Sequence, residues 1–135
     1  MKKVSVFYPH KNISPFDYGF TGKIDKRNYD ENGEFLGREP IEPSIEHYEK
    51  VSETKFIGRS NEELFNWVVT SHNVGSYPEK ITEKIRNGEL NVGFSSFSAG
   101  CVVRLDSDNV TDKGSYYIST GMGFELLPLE FSNDQ

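Results

Sequence analysis

A chain of 135 residues with 35% hydrophobic and 27% charged side chains can build one core and is not composed like a disordered segment. Its net charge of −6 argues against non-specific adhesion to nucleic acid or anionic membrane. Its one cysteine, Cys101, excludes an intramolecular disulfide.

Residues 3–8 alternate as a first strand closed by Pro9. The apolar run there is too short for a signal peptide, and no stretch reaches the roughly 18 apolar residues of a membrane span. Residues 10–22 read as a long loop, with Phe16, Tyr18 and Phe20 alternating inside it. Residues 24–36 predict a hairpin turning at Asn32-Gly33 in type I′, which sets Tyr29 opposite Leu36 and Asp30 opposite Phe35. Residues 39–43 form an acidic connector broken by prolines. Ser44 caps a short helix to about Lys50, with Glu42, Glu46 and Glu49 on one side and Ile41, Ile45 and Tyr48 on another. Residues 54–57 return to strand.

Two capped helices follow. Ser60 and Glu63 form a capping box ahead of Leu64, Phe65, Val68 and Val69. Ser76 and Glu79 repeat it, with Pro78 inside the first turn and Gly88 as the stop. Residues 90–94, 101–105, 116–119 and 124–129 alternate as strands. This order predicts an α+β fold: a mostly antiparallel sheet with two or three short helices packed on one face. A single domain over residues 1–135 is expected, frayed over 131–135.

Chemistry-bearing motifs are sparse. Residues 106–112 begin like a calcium loop, but Thr111 stands where a glycine is needed and Tyr117 where a glutamate is needed. A polar turn is the reading that fits. His10, His47 and His72 lack metal-ligand spacing, so neither metal nor cofactor is expected. Cys101 sits among apolar neighbours and reads as core. Tyr18-Gly19-Phe20 matches the centre of an RNA-binding strand motif, yet Asp17 precedes it and no basic residue leads it. Burial of those rings is the better reading, and nucleic acid is not the expected partner. The glycines of residues 121–123 and the serines of residues 95–98 read as tight strand connections.

Charge distribution is the strongest functional signal. Residues 1–30 carry six Lys/Arg against three Asp/Glu, whereas residues 31–49 carry six Glu against one Arg. The expectation is a cytoplasmic, non-catalytic acidic binding protein. It would be an immunity protein or antitoxin facing a basic nuclease-like toxin, or a phage antagonist of a host nuclease. Glu42, Glu46, Glu49, Tyr48 and Phe35 are the contact residues this reading assigns. The alternative is a small enzyme or nucleotide-binding domain using His72, aided by Arg104 or Arg38. His72 follows a helix C-terminus, where its cation is favoured, and capping that helix is its plainer role.

Overall fold

The structure, a computed structural model, describes residues 1–107 and 114–132. Its first half contains β1 (Lys2–Pro9), β2 (Ile13–Ser14), α1 (Tyr18–Thr21), β3 (Ile24–Tyr29), β4 (Phe35–Ile41) and β5 (Tyr48–Phe56). The second half contains α2 (Asn61–Ser71), α3 (Ser76–Arg86), β6 (Val102–Ser107), β7 (Ser115–Thr120) and β8 (Gly123–Leu126). Five strands form one antiparallel sheet in the order β5-β1-β6-β7-β8, and β2-β3-β4 form a second. The fold is the expected α+β, and α2 and α3 pack on one face of the larger sheet.

Strict alternation in β1 and β6 gives that sheet two apolar faces. Val4, Val6 and Tyr8 of β1 and Val103 and Leu105 of β6 meet Leu64 and Val68 of α2 and Ile81 of α3. On the other face Val102 and Ile118 meet Ile13 and Ile24 of the small sheet, together with Tyr48, Leu127 and Phe131. Each fully buried aliphatic side chain contributes about 1.5–3 kcal/mol relative to exposure. Rings close the margins: Phe65 stacks on Phe124 at 4.3 Å, and Phe56 meets Trp67 edge-on at 4.6 Å.

A bulge lets β5 serve both cores. Its register against β1 shifts between Val6 and Phe7, leaving Val51 as the extra residue. Tyr48 therefore points into the second core, while Ser52, four residues on, faces the helices.

Several local expectations are corrected. The helix at residues 44–50 shrinks to one 3-10 turn, Ile45–His47, before β5 begins at Tyr48. So short a helix does not repay its nucleation cost, and the open side of β1 offers these residues a ladder. The hairpin turn is wider than a two-residue loop. The Asp30 carboxylate accepts from the amides of Asn32 and Glu34, Gly33 takes φ 81°, and the Asp30 amide donates to the Glu34 carbonyl. Tyr29 consequently faces Phe35 instead of Leu36, and β4 runs through the acidic connector to Ile41. α3 starts at Ser76 with Gly75 as its cap, so the second capping box does not form, whereas Ser60 caps α2 as expected. Residues 90–94 are not a strand: Val92 makes a single bridge to His10. Phe131, placed in the frayed tail by sequence, is 1% exposed and central to the second core. Residues 108–112 of the calcium-loop-like segment and 133–135 of the tail lie outside the described residues.

Gly100 joins the layers. It has φ 91°, and a Cβ there would overlap Pro15. Its amide donates to the Ser119 carbonyl at 2.7 Å, and its carbonyl accepts from the Tyr48 hydroxyl at 2.7 Å. Gly100→Ala should therefore lower unfolding free energy by about 2–4 kcal/mol, read as a shift in urea midpoint. A variant within about 0.5 kcal/mol of the parent would show that the two layers slide to make room.

Candidate functional site

The acidic residues do not form the helical stripe expected of them. Glu42 lies in the coil after β4, Glu46 in the 3-10 turn, and Glu49 on β5. Glu49 is committed to its own molecule: it accepts from the Asn91 amide at 2.8 Å and lies 3.9 Å from His10. Glu46 is exposed, 3.5 Å from the His47 imidazole, whose pKa is lowered chiefly by burial. Tyr48 is unavailable to a partner. It is 6% exposed, its hydroxyl is bonded to Gly100, and burial pushes its phenol strongly up. Phe35 is exposed but sits out on the β3–β4 hairpin, paired with Tyr29.

Tertiary structure assembles a different acidic feature around Glu42. A groove of about 330 Å³ runs between α1 and residues 127–131, walled by Tyr18, Pro43, Leu127, Pro128 and Phe131, with Glu42 and Glu130 at its rim. Glu125 stands close enough to be felt there. The Tyr18 phenol is pushed up first by burial, then by the negative charges of Glu125 and Glu42. Lys23, which follows Gly22 of the lining, is 3.5 Å from Glu42, with both side chains well exposed. Such a pair contributes little and gives way readily to another cation. Phe20, Leu126 and Leu129, which flank these segments in sequence, are exposed. Glu125, Glu130 and Pro128 escaped the sequence reading because they are distant from Glu42 along the chain. Tyr18 falls in the stretch expected to be a loop burying its rings; it lies instead on the short helix α1, half-buried, while Phe20 of the same helix is 92% exposed.

A second, larger groove of about 520 Å³ lies between α2 and the β7–β8 hairpin. Phe65, Phe97 and Phe124 form its floor, and Glu62 and Asn66 of α2 border it. It lacks the convergent charge of the first.

His72 is fully buried. Its Nε2 is 2.7 Å from the Ser52 hydroxyl, and its Nδ1 is 3.1 Å from the Val68 carbonyl and 2.9 Å from the Ser71 hydroxyl. The ring stacks on Tyr77 at 4.5 Å and meets Trp67 edge-on. A neutral imidazole accepting at Nε2 from Ser52 and donating from Nδ1, its proton shared between the Val68 carbonyl and the Ser71 hydroxyl oxygen, fits these contacts, and the Ser71 hydroxyl itself donates to Val68. The arrangement resembles a nucleophile–base pair, but the ring has no exposed surface to offer a substrate. Arg104 lies on the opposite sheet face, held by Asp106 and Tyr116, so the expected pocket of His72 with Arg104 is not formed. Arg38 belongs to β4, far from α2 in the topology.

Cys101 is buried in the helix-side core, and burial pushes its thiol up to about 12. Among the described residues no three His, Cys, Asp or Glu side chains converge to hold a metal ion. None of the described helices is long and apolar enough to cross a membrane. Comparison with protein-family models, with curated proteins and with solved structures gave no match to this chain.

Burial lowers the His72 pKa to about 4, against about 6.5 in an unfolded chain, with the Val68 carbonyl opposing the shift. The unfolded state thus takes up a proton that the folded state resists. Stability from this group is complete above pH 6.5 and falls as pH drops toward 4, by roughly 3 kcal/mol over that window. His72→Gln should flatten the stability profile between pH 6.5 and 4 relative to the parent in urea titrations. Parallel profiles for the two proteins would rule out a buried neutral imidazole.

Proposed function

We propose that this protein is a non-catalytic binding protein that captures a basic protein partner through the groove between α1 and residues 127–131. The observation carrying this reading is the placement of Glu42 and Glu130 on an apolar channel walled by Tyr18, Pro43 and Pro128, with Glu125 near enough for its charge to act on Tyr18. Carboxylates steer a cationic segment in, and the rings and prolines take its aliphatic or guanidinium surface. A nuclease-like toxin, whose own cleft is basic to bind phosphates, has the complementary chemistry. That makes an immunity-type or antitoxin-type inhibitor, working in the cytoplasm, the class this reading favours. The groove replaces the Glu42, Glu46 and Glu49 stripe as the contact surface. Of the contact residues assigned from sequence, Glu42 alone belongs to it.

Titration with a short arginine-rich peptide at low salt tests the groove directly. Glu42→Lys combined with Glu130→Lys should weaken binding by about tenfold or more, whereas Glu46→Lys, outside the groove, should change it by no more than about twofold. Equal losses from the groove variant and the Glu46 variant would reduce the attraction to net charge and sink the reading.

A further inference from the structure

The β3–β4 hairpin carries chemistry that the acidic groove does not use. Ile24 and Ile41 at its base turn into the second core, so Arg27, Tyr29 and Arg38 alternate onto the opposite face, and the register shift that leaves Leu36 as the extra residue brings Phe35 opposite Tyr29. Cross-strand pairing sets Arg27 directly against Arg38 and Tyr29 directly against Phe35. Two guanidinium groups facing each other across a ladder repel. Among the described residues neither of them meets a carboxylate. Beside them the two rings lie 5.8 Å apart, tilted by 59°, with Tyr29 50% and Phe35 55% exposed. At the tip the Asp30 carboxylate is occupied by backbone amides, and Glu31 and Glu34 are exposed. With Asp25 toward the base, these acids confine the cationic section to the middle of the hairpin.

We propose that this face binds single-stranded nucleic acid. The opposed arginines hold a backbone phosphate between two guanidinium groups, which relieves their mutual repulsion. Tyr29 and Phe35 offer ring faces to neighbouring bases, and only unpaired bases can use them. An acidic peptide would satisfy the arginines but leave the rings without a partner. The charge of −6 over the whole chain does not forbid so local a contact, but it makes binding weak and strongly salt-dependent. This surface is separate from the groove and does not depend on it.

Fluorescence anisotropy with a labelled oligothymidylate at low salt tests the proposal. The parent should bind, and binding should weaken steadily as salt rises. Arg27→Gln with Arg38→Gln should lower affinity at least about tenfold and reduce the slope of log affinity against log salt by about 0.7, the value for one lost phosphate contact on a single strand. Tyr29→Ala with Phe35→Ala should cost about tenfold while leaving that slope unchanged. Circular dichroism and melting report whether each variant is folded, and Arg38→Gln alone, at an exposed position, serves if the double variant is not. Absence of binding by the parent overturns the proposal. So does equal affinity across folded variants, or competition by a polyglutamate peptide as effective as that by unlabelled oligothymidylate, which would mark the face as a general anion patch.

Discussion

Gly100 passes so close to Pro15 that the backbone there admits no side chain, and this approach sets how the two layers of the molecule meet. Pro15 belongs to the loop leading into α1, Ser119 to β7 and Tyr48 to β5, and all three are tied to Gly100 within a few ångströms. The hydroxyl of Tyr48, buried beneath Phe131 and bonded to the Gly100 carbonyl, converts an apolar contact into a directional one. Because α1 is held here, Tyr18 stays beside the C-terminal segment.

Much of the architecture was legible in the residue pattern. Alternation over residues 3–8 marked the first strand, Ser60 marked the start of α2, and Gly88 marked the end of α3. What escaped was decided by side chains acting at short range or by contacts between distant segments. The Asp30 carboxylate, by capping two amides, selects a wider turn than Asn32-Gly33 alone implies and moves the facing residue of Tyr29 by one. The 3-10 turn at Ile45–His47 gives way to β5 because an open strand edge competes with a helix too short to stand alone.

The two site candidates show the same division. Sequence placed His72 at a helix end, where the terminal carbonyls favour a cation; the structure encloses it, and loss of hydration wins. Six glutamates in residues 31–49 gave a correct sense of local charge, but their grouping depended on a helix that does not form. Only Glu42 remains at the groove, joined by Glu130 from the far end of the chain, with Glu125 near enough to act on Tyr18. The arginine pair of the hairpin was implicit in the expected register, since setting Tyr29 opposite Leu36 also sets Arg27 opposite Arg38, but the expected hairpin stopped at residue 36 and β4 runs on to Ile41.

The hairpin also has a bare margin. Among the described residues β4 pairs with β3 alone, so its outer side turns main-chain groups to solvent beside exposed Phe35 and Leu36, the usual template for chain-to-chain stacking. Pro40 withholds a donor near one end of that margin, and the register shift at Asn28 and Tyr29 skews the ribbon near the other. Too little flat edge is left between them for a like strand to zip along. The arm thus displays its rings to the solvent beside an edge interrupted near both ends.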